Sequence, residues 1–398
     1  MKKKISLPIV ILICVFCSVI TFQVTYIACS QTMKSGSGSI ENDKLALVDR
    51  IYRENYVNEI NENDLTNGLI EGYLAGAGEK YGYYLTSDEY KTHTDDFEGN
   101  YVGIGVTVVY DSAKGLIKVV AVSDGSPAEK AGIKKSDYIY AVDGESAYDL
   151  GYNGTLEAVK GKAGTEVTVT VLRESGGEST SAEYKVTREA LVEQTVYYRL
   201  LDGGIAFIRI TSFNSEAAEE FSAALDKMRS DGATGLIIDL RDNPGGELNS
   251  AVSIIDPLIP EGDLVVVKDK DGNESVMARS DANEVDLPMA VLVNGHSASA
   301  SELFAQSIRD YGKGVLVGGT TYGKFTMQSG RALPDGSVIY ISTHTFSSKS
   351  RESYEGVGLT PDIEATLGEE AAAKNLFDLT DDEDTVLQAA VKYIKERN

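Results

Sequence analysis

Ser299 and Lys324 stand 25 positions apart in NGHSASASELFAQSIRDYGKGVLVGGTTYGKFTMQ (294–328), and a serine with a lysine is enough to make a hydrolase. A serine hydroxyl is a weak nucleophile until a neighbouring base takes its proton. A lysine becomes that base only if burial draws its pKa down from about 10.4 towards the working pH. His296, three residues before Ser299, is the rival base, although a loop histidine more often bonds locally.

The flanking residues supply positions for these groups. Ala298 and Ala300 are small, and Leu303, Phe304 and Ile308 follow at helical spacing, so Ser299 is expected at a strand-to-helix turn. Upstream, the apolar strand of GLIIDLRDNPGG ends in Gly245 and Gly246, whose backbone N–H groups carry no steric cover. With the N–H of Ala300 they are candidate oxyanion donors. Gln328, four residues after Lys324, could hold the lysine amine in line.

A lone Ser and Lys at this spacing are far more often structural than catalytic; it is their company that matters. The chain resembles the carboxy-terminal processing proteases, Ser-Lys peptidases of family S41 that include the tail-specific proteases. The resemblance runs from about residue 42 to 365 and rests on LRDNPGG, SASASE, YGK, Gln328 and GVGLTPDI (356–363). It implies Ser299 as nucleophile, Lys324 as base, Gln328 as third member, and Gly245 or Gly246 with Ala300 as oxyanion hole. The chain departs from the family at three places. Phe325 replaces the glycine after the lysine and is expected to narrow the cleft or shift the lysine's strand. In SSKSRESYEG (347–356) the usual proline and glycine between the late strand and GVGLTPDI are missing, and Glu79, Lys80, Tyr81 and Gly82 replace a motif with Asp, Pro and Ser.

The 398 residues suffice for two or more domains, and the net charge of −24 makes nucleic acid an unsuitable partner. Lys2, Lys3 and Lys4 precede a nearly uncharged run from Ile5 to Gln31, the plan of a secretory signal or membrane anchor. Its length favours an anchor with the rest of the chain outside the cytoplasm, in the bacterial cell membrane or otherwise secreted. Cleavage near Ala28 and lipid attachment at Cys29 are the alternatives. All three cysteines, Cys14, Cys17 and Cys29, lie in this run, which leaves the body without disulfides, a cysteine nucleophile or a zinc thiolate site.

SGSGS (35–39) reads as a tether. Leu45, Val48, Ile51 and Tyr52, then Leu65, Leu69, Ile70, Tyr73 and Leu74, predict two short helices. The family resemblance implies that such helices can form a homodimer. From Phe97 to Arg188 the pattern turns to β: in EVTVTVL, Val167, Val169 and Val171 share one face. Pro127 opens a short helix, Gly132 ends it, and Asp143 and Gly144 close a strand turn. This order looks like a PDZ domain, with Tyr101, Val102, Gly103, Ile104, Gly105 and Val106 as its carboxylate-binding loop. Gly103 and Gly105 let successive N–H groups face a terminal carboxylate while a strand edge pairs with the peptide. Lys160 stands where the family has an arginine that couples peptide binding to activation. Beyond ESGGESTS, strands and helices alternate, predicting an α/β core with mainly parallel pairing. The last helix, from Leu376 to Lys395, is strongly charged and reads as a solvated or dimer-contacting cap.

The expected fold is an α/β protease core, crotonase-like and of ββα type by resemblance, with N-terminal helices and an inserted, mainly β PDZ domain. Its parts are an anchor or signal (1–31), a linker (32–41), N-terminal helices (42–96), the PDZ domain (97–188), the Ser-Lys core (189–365) and a C-terminal helical region (366–398). The expected function is a serine endopeptidase outside the cytoplasm that recognises apolar C-termini of protein substrates and needs no metal or cofactor. A silent PDZ receptor for exported tails is the alternative. A crotonase-type acyl-CoA enzyme is a third reading, disfavoured by the PDZ domain and the export signal.

Overall fold

The computed structural model describes residues 42–97, 100–111, 114–123, 125–175 and 178–397. The tether and the apolar run from Ile5 to Gln31, with its anchor, cleavage and lipid readings, lie outside the described residues. No helix among those described is long and apolar enough to cross a membrane.

The chain divides into Met1–Leu69 and Ile70–Asn398. In the first unit, helix α1 (Asn42–Asn55) is followed by the start of α2 (Glu62–Gly76). Arg53 donates to Asp49 one turn back at 2.8 Å and to both oxygens of Glu62. The apolar stripe Leu45, Val48, Ile51 and Tyr52 is exposed.

In the second unit, β1 (Tyr83–Leu85) and helix α3 (Ser87–Phe97) lead to β2 (Asn100–Gly103). A β domain follows: β3 (Val106–Asp111), β4 (Leu116–Val122), α4 (Pro127–Ala131), β5 (Tyr138–Val142), β6 (Glu145–Ser146), α5 (Ala147–Val159), β7 (Glu166–Ser175) and β8 (Glu178–Thr187). Its sheet runs β3-β4-β5-β7-β8, and Val167, Val169 and Val171 all face its core. The Ser126 hydroxyl caps α4 by accepting from Glu129 N, Pro127 occupies the first turn where no N–H is needed, and Gly132 ends the helix at φ 98°. Asp143 and Gly144 both take positive φ, which matches a tight hairpin to strand twist. Strand β9 (Glu189–Val192) returns antiparallel to β2.

The remaining chain builds two sheets from β10 (Val196–Leu201), β11 (Ile205–Ile210), α6 (Ala217–Ser230), β12 (Gly235–Asp239), α7 (Leu248–Ile255), β13 (Gly262–Asp269), β14 (Glu274–Ser280), β15 (Met289–Val293), α8 (Ala300–Asp310), β16 (Gly314–Gly318), β17 (Thr326–Ala332), β18 (Val338–Ser347) and β19 (Ile363–Glu364). One sheet has the order β10-β11-β12-β15-β16-β19, parallel from β11 onwards. Its strands are near-continuous apolar runs because both faces are covered. Phe221, Ala251, Leu303 and Phe304 of α6, α7 and α8 belong to the cluster on one face. The other sheet joins β1, β18, β13 and β14, with β17 also on β18.

The C-terminal segment differs from its charged appearance. After the short α9 (Glu369–Ala372), helix α10 (Thr385–Lys395) buries Val386, Leu387, Ala390 and Ile394 against Ile237, Ala290 and Leu292 of the parallel sheet. The helix is therefore a layer of the core and not a solvated cap, and its apolar face is already occupied within the chain. Each large side chain buried this way contributes about 1.5–3 kcal/mol. The i, i+3, i+4 spacing of those four residues was the relevant signal, outweighed in the sequence by the charges around it.

Candidate active site

Parallel strands end at one edge of a sheet, and β12 and β15 deliver their following turns to the same place. Ser299 is the N-cap of α8, with φ 57° and ψ −115°, a conformation that costs an L-residue about 1–3 kcal/mol and is kept only where neighbours enforce it. Asn243, in the turn after β12, enforces it. Its carbonyl accepts from Ala298 N at 3.1 Å and from Ser301 Oγ at 2.9 Å, and its amide Nδ2 donates to Ile210 O.

Glu302 joins this turn to the lysine. Its carboxylate is fully buried and accepts four hydrogen bonds, from Thr321 Oγ1 (2.5 Å) and Gly323 N (2.7 Å) on one oxygen and from Lys324 N (2.8 Å) and Ser299 N (2.9 Å) on the other. Burial pushes the Glu302 carboxyl up from its ordinary range, and the four donors oppose that shift. All four partners donate, so the geometry is that of an acceptor-only carboxylate. Glu302 belongs to SASASE, and its place three residues after an N-cap, where a carboxylate reaches back to the cap N–H, is the sequence signal for this role.

Lys324 is half-buried, and its pKa is lowered by that burial and raised in part by Glu355. Its Nζ lies 5.2 Å from the centroid of the Tyr81 ring. Tyr322 N donates to Ser297 O at 3.0 Å, a further tie between the lysine segment and the nucleophile turn. Gln328 does not bond Lys324 among the described residues. A register shift in β17 between Met327 and Gln328 accompanies an amide that donates to Thr326 O at 3.0 Å and to Ser342 Oγ at 3.4 Å. His296 turns away to Asp242 Oδ1 at 2.9 Å with its side chain 81% exposed, as expected for a loop histidine.

The three expected oxyanion donors separate. The N–H of Gly245 is committed to Asn243 Oδ1 at 2.8 Å, which removes it from the set. The amides of Gly246 and Ala300 have no acceptor among the described residues. Gly245 matters instead for space: at φ 106°, a Cβ would stand 2.9 Å from both Ala298 O and Ser299 Cβ.

Phe325 does not narrow the cleft. It is fully buried and packs with Phe346 and Tyr354, at ring separations of 5.3 and 5.7 Å, so its bulk is absorbed by the core. The segment without the usual proline and glycine is held through Gln306, which donates to Ser350 Oγ and Glu352 O. GVGLTPDI closes against the lysine segment, with Gly356 N donating to Gly323 O and Leu359 N to Thr321 Oγ1.

In the β domain, Tyr101, Gly103, Ile104, Gly105 and Val106 line one groove with Leu156, Val159 and Lys160 of the α5 side. Strand β3 is the edge of its sheet beside that groove. Val102 lies in β2, paired with Ala190. Lys160 is exposed and faces Glu157 at 3.8 Å, whereas Arg188 caps the end of α5 through the carbonyls of Ala158 and Val159.

Residues 204–365 match peptidase family S41, and residues 118–173 match a PDZ domain. The chain is 31% identical over 370 residues to the carboxy-terminal processing protease CtpA of Bacillus subtilis (strain 168), covering 92% of this chain and 78% of that protein. It is also 31% identical over 319 residues to a carboxy-terminal-processing protease of Bartonella bacilliformis, covering 78% and 72%. An S41 protease candidate of Bacteroides fragilis, 17% identical, superposes with a TM-score of 0.58 over 82% of this chain and 90% of that one, a likeness of fold. The chain therefore belongs to peptidase family S41 and is a serine-type peptidase. Within that family its function is that of a C-terminal processing protease carrying a PDZ domain.

Proposed function

We propose that Ser299 and Lys324 carry the reaction, that the PDZ groove selects substrates by their C-terminal tails, and that the enzyme works outside the cytoplasm. The observation behind the first part is the shared Glu302 oxygen, which fixes the backbones of Ser299 and Lys324 within one carboxylate's reach. Burial of Lys324 favours its neutral form. The neutral amine takes the proton of Ser299 as Oγ attacks the scissile carbonyl carbon. The oxygen of that carbonyl gathers charge facing the amides of Gly246 and Ala300. Lys324 then passes the proton to the leaving amine, and an acyl-enzyme remains. Water, deprotonated by the same lysine, releases the acyl product. Gln328 enters this scheme by moving its amide from Thr326 O towards Lys324 when substrate fills the cleft, since such bonds often tighten only in the complex.

Tail recognition draws on the exposed edge of β3, the apolar groove wall of Val108, Ile139, Leu156 and Val159, and the glycines of the loop. An extended peptide adds to that edge, its carboxylate facing the loop amides. Placement outside the cytoplasm is supported by the Lys2–Lys4 flank before an apolar run.

The test is cleavage by the full chain of an unstructured protein with an apolar C-terminus, beside Ser299→Ala and Lys324→Ala. Loss of cleavage in both variants with the thermal melt preserved supports the scheme. A wild-type protein that binds the tail and cuts nothing is instead a receptor.

A further inference from the structure

Glu302 fixes the backbone on one side of Lys324, and a second carboxylate stands on the other. Glu355 Oε2 accepts from Phe325 N at 2.7 Å and Thr326 Oγ1 at 2.8 Å, the two residues directly after the lysine. Its Oε1 accepts from Tyr81 OH at 2.9 Å. The Tyr81 ring in turn faces Lys324 Nζ. Tyr81 is itself held from two directions. Its N–H and that of Gly82 donate to Glu79 Oε1, and Lys80 Nζ donates to its hydroxyl at 2.6 Å. Glu79 also accepts from Ser342 N and Oγ, anchoring the turn to β18. Burial pushes the Glu79 carboxyl up, but the donors Tyr81 N, Ser342 and Gly82 N hold it down at about 2. The cluster stands on the turn Glu79 to Gly82 and on the glutamate just before GVGLTPDI.

We propose that Tyr81 and Glu355 are positioning residues of the peptidase reaction, which hold the side chain of Lys324 at one wall of the cleft and set the pH at which it gives up its proton. The proposal rests on Lys324 being the base. An ammonium is attracted to the face of an aromatic ring and to a carboxylate, whereas a neutral amine is not. Lys324 Nζ has no hydrogen bond among the described residues, so these two attractions are what holds it while it carries its proton. The groups about it are Tyr81 from the turn before β1, whose ring lies under Nζ, Glu355 from the segment before GVGLTPDI, and Glu302 of α8 at its backbone, while Lys80 is tied to the cluster through the Tyr81 hydroxyl. Glu355 favours the proton on Lys324 against burial, so neutralising Glu355 moves the basic form to lower pH.

The experiment measures the rate at which a fluorophosphonate phosphonylates Ser299, its phosphorus bonding to Oγ as fluoride leaves, in the full chain from about pH 5.5 to 9.5, together with kcat and KM for peptide cleavage. Glu355→Gln is expected to move the midpoint of the rising limb down by about half a unit or more. Tyr81→Leu is expected to lower kcat about tenfold or more with KM little changed, and Tyr81→Phe, which keeps the ring, to restore most of it. Lys324→Ala separates the two levels of the argument. If it retains the wild-type limb, the base assignment fails and the proposal with it. If it erases the limb while Glu355→Gln leaves the midpoint in place, the positioning proposal alone is overturned. Should Glu355→Gln not fold, the Tyr81→Leu and Tyr81→Phe pair decides, and equal kcat in the two overturns it.

Discussion

The backbone amides of Ser299 and Lys324, 25 residues apart, donate to the same carboxylate oxygen of Glu302, at 2.9 and 2.8 Å. A single buried acceptor thus sets the separation of the proposed nucleophile and base. Replacing Glu302 by Ala leaves four donors without an acceptor, each costing about 1–3 kcal/mol if it stays buried. The expected result is a fall in cleavage of more than about 100-fold and a lower Tm. Glu302→Gln, which keeps the shape, is expected to melt closer to wild type. Equal activity in Glu302→Ala and wild type would remove Glu302 from the positioning of the pair.

The pH dependence has a definite sign. Burial lowers the pKa of Lys324, and a base acts in its neutral form, so kcat/KM is expected to rise from neutral towards alkaline pH and level off once the lysine has lost its proton. A rate indifferent to pH between about 6 and 9 contradicts a lysine base that loses its proton within or above that range.

Gly245 is needed for room rather than for its N–H. Gly245→Ala adds a Cβ at 2.9 Å from Ala298 O and Ser299 Cβ, on a backbone with φ 106°. Cleavage is expected to fall about 100-fold or more, while titration of an apolar C-terminal peptide gives an unchanged Kd.

The complementary separation lies in the PDZ groove. Leu156→Glu places a charge among Val108, Ile139 and Val159. Peptide affinity is expected to weaken by about tenfold or more, with phosphonylation of Ser299 by a small fluorophosphonate retained. If phosphonylation falls in step with binding, the groove and the site are not separable functions.

A fifth test concerns the C-terminal helix. Arg241, directly before the glycine turn, donates to Asp239 and through Nη1 and Nη2 to Asp384, the N-cap of α10, while Arg209 also donates to Asp239. Asp384→Ala leaves a buried guanidinium with half of its partners, a loss of about 3–5 kcal/mol in such sites. A clear drop in Tm is expected by calorimetry, and an unchanged Tm would show that Asp239 alone satisfies Arg241.

Much of this was legible from residue order. Period-two alternation marked Val167, Val169 and Val171, and apolar runs of strand length between helical stretches marked the parallel sheet. The proline and glycine about α4 marked its ends. The charged last helix misled because its four apolar contacts are diluted among ionic neighbours, and only the facing sheet shows which side is buried. For Gln328 and Gly245 the sequence shows a polar group within a motif but not its partner in the fold, which is Thr326 O in one case and Asn243 Oδ1 in the other.

The sequence by itself determined the elements, the family motifs, the candidate Ser299 and Lys324, and the two-part plan of a PDZ domain before a peptidase core, because these depend on residue types at short, fixed spacing. The tertiary structure alone decided the strand order β10-β11-β12-β15-β16-β19, the joining of Ser299 to Lys324 through Glu302, and the arrival of Tyr81 and Glu355 beside the lysine from opposite ends of the core sequence. Those contacts span up to 274 residues. Over such separations the identity of a hydrogen-bond partner depends on how sheets and helices stack in space, which no local pattern encodes.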